Sequence, residues 1–476
     1  MIRKSIFVGQ FQEDISLRYE FITKLGQGTY GSVYRVEDKL TGEIRACKKV
    51  NKKQIKRKDR FKNEIDLLKS SDHHNIVKLF EIYEDQIFIY LVMEECKGGE
   101  LFDVLARRAK TRSFYNEREA AKIFKQIMSA VFYLHNQGVC HRDLKPENIL
   151  FFENKDDYYV KLIDFGLSKL FSTKNNHMNS IVGTIYYMSP EIISGTYNEK
   201  CDVWSAGVIL YILLCGKPPF FGKSASEITQ KILEINYSFD SADWKSVSAE
   251  SRDLLQKIFV HSDKRLSSSE VLEHVWVKEF APYSLPEILN LNFQHILEYS
   301  EMNKIKKSII SFICYRFTFS QAKILTEIFK SLDKNSDGVL TLAELKEGLD
   351  ILNEKTEFNL QKKDLILLFE GIDLDKSGTI NYNEFLASSM DFKKELKLEH
   401  IYEAFKSFDS DKSGRISLRE ITDVIKPCNE DDIEYLDNLI RSIDSNGDGE
   451  IDFQEFLRCL GIPVNGMIED CFELNN

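Results

Sequence analysis

His141-Arg142-Asp143-Leu144-Lys145-Pro146-Glu147-Asn148 is an octet in which six of the eight positions are polar or charged, bracketed on both sides by apolar residues. Polar groups on that scale are costly to bury without compensating partners, so an octet like this marks a site rather than a piece of core. Downstream follow Asp164-Phe165-Gly166 and Ser189-Pro190-Glu191. Up to about Trp276 strand-like and helix-like apolar patterns alternate, with a β-rich start and a helical remainder, which implies two lobes. Beyond Pro282 and Pro286 strand signals stop, and from about Gln321 a helix-loop-helix pattern repeats four times.

Bulk properties agree with more than one unit. A chain of 476 residues exceeds what one core usually serves, and 43% hydrophobic with 12% aromatic residues is ample for globular cores. Charge is unevenly spread: Phe319 to Asn476 holds 34 acidic against 18 basic residues, a net of −16, which leaves +5 for the rest of a total of −11. The acidic part reads as a metal-binding or partner-binding module and would repel nucleic acid. The nine cysteines form no CxxC pair, as expected of reduced thiols in the cytoplasm. The longest apolar run, Val208 to Cys215, is too short for a bilayer core of ~30 Å, and no secretory signal is visible.

Upstream of the octet, Leu25-Gly26-Gln27-Gly28-Thr29-Tyr30-Gly31-Ser32-Val33 is a Gly-rich turn between strand-like segments. Missing side chains there let backbone N–H groups approach phosphate oxygens, although the same spacing also suits an ordinary hairpin. The next strand carries Ala46-Cys47-Lys48, and a helical stretch follows with Glu64. Lys48 can reach the α- and β-phosphates while Glu64 neutralises it; strand register selects Lys48 over Lys49, Lys52 and Lys53. Tyr90-Leu91-Val92-Met93-Glu94-Glu95-Cys96 then runs from an apolar strand into acidic residues and Gly98-Gly99, the pattern of a hinge. Its backbone, at Glu94 and Cys96, is expected to hold adenine, with Met93 closing the pocket behind it. Glu100 is placed to take the ribose hydroxyls or a basic substrate side chain.

The octet, the Gly-rich turn, Lys48, Asp164-Phe165-Gly166 and Ser189-Pro190-Glu191 stand in the order of the eukaryotic protein kinase signature, which Tyr19 to Trp276 resembles. The resemblance implies ATP and Mg2+. It assigns the proton of the substrate hydroxyl to Asp143, the transferring phosphoryl group to Lys145 and the two magnesium ions to Asn148 and Asp164. Lys145 and Thr184 resemble the serine/threonine class. Glu191 with Arg265 resembles a buried structural ion pair, and Asp202 a support for the catalytic loop. Arg142 calls for a phosphate or an acidic side chain from the activation loop; Ser180 is a candidate acceptor, and an unmodified serine fits as well.

Each of the four repeats holds a twelve-residue loop with oxygen ligands at positions 1, 3, 5 and 12, a carbonyl at 7 and Gly at 6. The ligand sets are Asp333, Asn335, Asp337, Val339 and Glu344; Asp373, Asp375, Ser377, Thr379 and Glu384; Asp409, Asp411, Ser413, Arg415 and Glu420; and Asp444, Asn446, Asp448, Glu450 and Glu455. All four are complete EF-hands, and Glu at position 12 favours Ca2+, with sensor-range affinity on the order of 10⁻⁷ to 10⁻⁵ M. Apolar Leu340, Ile380, Ile416 and Ile451 at position 8 imply loops paired two by two.

Between the halves, Asn303 to Ile313 sets Ile305, Ile309, Phe312 and Ile313 on one helical face beside Lys304, Lys306 and Lys307. It reads like a calmodulin-target helix; a plain linker helix is the alternative. Kinase, junction and four EF-hands in this order resemble the calcium-dependent protein kinase family of plants and protists. The expected fold is α+β: a two-lobed protein kinase followed by an all-α calmodulin-like domain. Boundaries fall at 1–18 for a short N-terminal extension, 19–280 for the kinase, 281–320 for the junction, 321–465 for the sensor and 466–476 for a tail. The resemblance implies that the junction blocks the catalytic cleft at low calcium and is captured by the acidic sensor when calcium binds. It also implies protein substrates phosphorylated on Ser or Thr, with Glu100 and Glu147 favouring basic residues upstream, and a cytoplasmic monomer. Ile2 stands where a myristoylated member carries glycine, so no stable membrane anchor is expected.

Overall fold

The structure is a computed structural model, and it describes residues 7–28, 31–55, 57–153, 158–164, 169–170, 184–240, 242–282, 293–317, 319–353, 362–391, 394, 397–425 and 430–462. A six-stranded sheet forms the first lobe, with β1 (Gly9–Phe11), β2 (Tyr19–Gly28), β3 (Gly31–Asp38), β4 (Ile44–Asn51), β5 (Leu79–Glu84) and β6 (Phe88–Met93) in the order β1-β5-β6-β4-β3-β2. All neighbours are antiparallel except β1, which runs parallel to β5. The helix Lys58–Ser70 follows β4 and carries Glu64.

The second lobe is helical. Glu117–Asn136 starts at a capping box, in which Asn116 accepts from the Glu119 backbone and Glu119 from that of Asn116, so that two otherwise unpaired N–H groups are satisfied. Lys200–Cys215 is buried on every side from Cys201 onward, which explains why its sequence shows no apolar stripe. It ends at Gly216, whose φ of 73° favours glycine. Trp204 stacks on Phe220 at 5.2 Å and meets Phe259 edge-on at 5.1 Å, fixing that helix in the core.

The junction helix runs Lys304–Arg316, capped by Asn303, which accepts from the Lys306 N–H. Burial is not confined to the expected face: Ile305 and every residue from Lys307 to Arg316 are buried, because the helix is enclosed by the kinase on one side and the sensor on the other. Tyr315 donates from its hydroxyl to the Leu79 carbonyl (2.9 Å), and Arg316 pairs with Glu81 (2.8 Å), both on β5. On the sensor side Asn383 donates to the Ser311 carbonyl (3.0 Å). Lys307 donates to the carbonyls of Ser300 and Gly371, both at 2.8 Å, and burial lowers its pKa to about 8.

The sensor holds four helix pairs: Phe319–Leu332 with Leu342–Asn353, Lys362–Ile372 with Tyr382–Ser389, Leu398–Phe408 with Leu418–Ile425, and Glu430–Ile443 with Phe453–Leu460. Leu340 lies opposite Ile380 and Ile416 opposite Ile451, so the loops pair two by two. Among the described residues no helix is long and apolar enough to cross a membrane.

Candidate active site and calcium loops

Lys48 lies on β4 opposite Val33 of β3 and Leu91 of β6, so the three side chains share one face of the sheet. From there its Nζ reaches Glu64 Oε1 at 3.0 Å and Asp164 Oδ1 at 3.9 Å. Burial raises the Glu64 pKa, while Lys48 pulls it back. The Gly-rich hairpin pairs Gly26 with Val33 and Gly28 with Gly31; Thr29 and Tyr30 lie outside the described residues. A Cβ on Gly31 would lie 1.9 Å from the Lys49 carbonyl oxygen, so this position admits only glycine. Leu25 is exposed beside it.

At the hinge the Glu94 side chain turns away from the cleft to pair with Lys161 at 2.8 Å, both residues buried. Its N–H donates to the Lys78 carbonyl, which leaves the Glu94 carbonyl as the backbone group for a ligand. Glu95 pairs with Arg35 at 2.9 Å. Met93, half-buried, lies opposite Ala46 and Leu79. Cys96 follows, also half-buried. Glu100 is exposed, and its pKa is raised by partial burial and by the charges of Asp103 and Glu147, which makes an acidic cluster beside the catalytic loop.

In that loop Lys145 Nζ lies 2.7 Å from Asp143 Oδ2, and Asn148 donates from Nδ2 to the Asp143 carbonyl at 2.8 Å. Asp143 Oδ1 is buried without a hydrogen-bond partner among the described residues, an acceptor suited to a hydroxyl proton. The backbone is strained at two points of the site, with φ of 65° at Arg142 in this loop and 63° at Asp164 in the segment facing Lys48. Asp202 holds it by accepting from the backbone N–H of His141 and Arg142, both at 2.8 Å, and it contacts His135 at 3.0 Å. Burial pushes the Asp202 pKa up, and these contacts more than offset it, leaving the carboxyl below its ordinary value. Glu191 and Arg265 form a buried bidentate pair, with Nη2 to Oε2 at 3.1 Å. Arg142 donates to the Tyr197 hydroxyl at 2.7 Å. Its expected activation-loop partner, Ser180, Phe165 and Gly166 lie outside the described residues.

All four calcium loops turn the same way. The position-6 N–H of Gly338, Gly378, Gly414 and Gly449 donates to Asp333, Asp373, Asp409 and Asp444 at 2.7–2.9 Å, and the glycines adopt φ of 79–86°. Glu344, Glu384, Glu420 and Glu455 each accept the position-9 N–H at 2.9–3.0 Å. In the second and third loops the carboxylate oxygens of Asp373, Asp375 and Glu384, and of Asp409, Asp411 and Glu420, lie within 4.8 Å of one another, an all-oxygen convergence that suits Ca2+. Ser377 and Ser413 donate to the carbonyls of Thr379 and Arg415, which draws those two ligand positions together. Asn335 and Asp337 in the first loop, and Asn446, Asp448 and Glu450 in the fourth, stand at the matching positions.

Two groups of contacts had no signature in the sequence. The first calcium loop is seated on the kinase: Ser129 donates from its hydroxyl to the Ser336 carbonyl at 2.9 Å, and Gly338 packs on His73 so closely that a Cβ would come within 2.4 Å of the ring. A buried charge cluster joins Arg316 of the junction to Glu81 of β5 and, at 3.7 Å, to Glu403 of the third EF-hand, with Arg18 bridging Glu403 and Asp38.

The protein kinase domain family matches residues 19–277, and the EF-hand domain pair family matches 323–390 and 398–460. Calcium-dependent protein kinase 3 of Plasmodium berghei is 38% identical over 462 residues, covering 94% of this chain and 80% of the relative. Calcium-dependent protein kinase 5 of Plasmodium falciparum is 40% identical over 448 residues (92% and 76%). Calcium-dependent protein kinase 7 of Arabidopsis thaliana is 38% identical over 454 residues (93% and 83%).

Proposed function

The chain belongs to the calcium-dependent protein kinases, a family of calcium-activated serine/threonine kinases that use ATP, and from that premise we propose how its residues divide the work. Asp143 takes or orients the proton of the substrate hydroxyl through its unpartnered Oδ1, while Lys145 holds the other oxygen and meets the transferring phosphoryl group. Lys48, positioned by Glu64, takes the α- and β-phosphates. Asn148, whose amide N–H is already committed to Asp143, offers its carbonyl oxygen and Asp164 its carboxylate to magnesium, which neutralises phosphate charge when bound. The acidic cluster of Glu100, Asp103 and Glu147 favours substrates with basic residues upstream of the acceptor.

The regulatory reading is that the junction helix covers the cleft without calcium and is carried to the far side of the first lobe when the EF-hands fill. The observation that carries it is Arg316, which is bound by Glu81 of the kinase and Glu403 of the sensor together, so that the helix end is fixed only when all three parts meet. On this reading the kinase spans 19–280, the junction 281–320 and the sensor 321–465. We read the protein as a cytoplasmic monomer. The test is phosphate transfer from ATP-Mg to a peptide with arginine three residues before its serine. Activity with calcium and none with a chelator is the expected result; equal activity in both would overturn the switch.

A further inference from the structure

The N-terminal extension contributes no catalytic or calcium-ligating residue, yet Phe7 and Val8 are only 5% and 3% exposed. The segment makes three sets of contacts. Gly9, Gln10 and Phe11 pair in parallel with Glu81, Ile82 and Tyr83, covering the open edge of β5, and the Phe11 ring stacks on Tyr83 at 4.9 Å. Phe7 lies against the junction helix, 6.2 Å from the Phe312 ring and 5.7 Å from that of Tyr315. Glu13 pairs at 2.6 Å with Lys412, within the third calcium loop. A segment of seven residues therefore touches the kinase, the junction and the sensor.

We infer that residues 7–13 form a clasp that holds the junction helix in its position on β5, away from the catalytic loop, and so lowers the calcium needed for activity. The strand anchors the segment to the kinase, and the Phe7 ring closes over the helix. When the junction leaves β5, Phe7 loses the rings that bury it and its apolar surface meets water, so the clasp favours the seated helix by the surface it covers. By linkage, whatever favours the seated arrangement also favours the calcium-loaded sensor that accompanies it. This inference rests on the calcium-switch reading above and extends it to a segment outside both the kinase and the EF-hands.

The test is a calcium titration of peptide phosphorylation with the full chain, for the wild type and for Phe7→Ala, Phe312→Ala and the double variant. The expected result for Phe7→Ala is a rise of at least about threefold in the calcium needed for half-maximal activity, with the rate at saturating calcium retained. The double variant should then shift no further than the larger single effect, because both substitutions break one contact. An unchanged midpoint for Phe7→Ala would overturn the clasp, as would shifts that simply add in the double variant. A uniform fall in rate at every calcium concentration would also overturn it, since the segment would then only support the first lobe. A wild type without calcium dependence would instead remove the switch itself, and the clasp with it.

Discussion

Around Asp143 the polar groups come from one short stretch, with Lys145 and Asn148 bonded to the residue they serve and Asp202 holding the loop from behind. Around Arg316 they come from the whole length of the chain: Glu81 from β5, Glu403 from the third EF-hand, and Arg18 with Asp38 from the start of the kinase. The first cluster is local and open to a ligand, and the second is assembled only by docking. On the switch proposed above, the first cluster is set by its own stretch of chain, and the second would form only when the parts meet. The sharpest way to separate the two is Asp143→Asn. It should lower phosphate transfer by about 10²–10⁴-fold, the range of a lost proton-transfer group, while small-angle scattering with and without calcium shows the same compaction as the wild type. A change in compaction would mean the clusters are not independent.

Arg316→Ala attacks the other side. Removing one partner of a buried pair leaves Glu81 with the hydroxyls of Tyr19 and Tyr83 and the charge of Arg18 but without its paired guanidinium, at a cost of up to about 3–5 kcal/mol to the docked arrangement. The calcium needed for half-maximal activity should rise steeply, and the thermal stability gained on adding calcium should shrink. The effect has a defined pH dependence. Burial raises the Glu81 pKa, but Arg316 and Arg18 outweigh it and hold the carboxyl below its ordinary 4.5. A depressed carboxyl contributes stability above the unfolded value and loses it as pH falls towards the folded one. The gap between wild type and Arg316→Ala in calcium-dependent melting temperature should therefore be full at neutral pH and narrow below about 4.5.

This contrast also marks what the sequence could reveal. The catalytic octet was legible because its residues are close in the chain and their spacing is imposed by chemistry that tolerates few alternatives. The EF-hand loops were legible for the same reason: twelve consecutive residues hold the candidate ligands, the turn and the paired apolar position. Glu94 was legible only as a position, since its side chain goes to Lys161, 67 residues on, and the hinge pattern carried no sign of that partner. The back of the kinase was not legible at all. Ser129, His73 and Glu81 look like ordinary helix, loop and strand residues, and their roles depend on partners from Arg316 to Glu403, which share no local pattern with them. The junction was half legible: its apolar face was evident, but Lys307, read as a charge for the acidic sensor, is turned to the Ser300 and Gly371 carbonyls because a helix enclosed on all sides leaves its lysines few exits.

The comparison extends into the sensor, where loops of the same pattern sit in different surroundings. Asp333 is 2% exposed, seated with its loop against the kinase helix that carries Ser129, whereas Asp444 is half-buried and the residues that follow it, 445–449, are exposed. Glu344→Gln and Glu455→Gln remove the same ligand atom from the first and fourth loops, and each should weaken one site in a calcium-binding isotherm. The first loop is bonded to the kinase through the Ser336 carbonyl, so Glu344→Gln should raise the calcium midpoint for activity at least about fivefold, the lower end of typical coupling between sites, and Glu455→Gln should move it less. Equal shifts would show that the loops act through the sensor as a whole.

The smallest effect belongs to the ion pair between Glu13 and Lys412, and it tests whether burial or charge decides the strength of the docked arrangement. On paper it resembles the Arg316 pairs, since it also joins the kinase side to the third EF-hand, but the Lys412 side chain is 70% exposed where that of Arg316 is 6%. Water screens an exposed pair and two long side chains lose freedom to make it, so such contacts are worth about 0–1 kcal/mol. Lys412→Ala should then shift the calcium midpoint by less than about fivefold, and most of that shift should vanish at high salt, where surface pairs are screened and buried ones are not. A salt-resistant shift as large as that of Arg316→Ala would break the distinction between the two pairs, because the exposed contact would be carrying the docking that the buried cluster is held to provide.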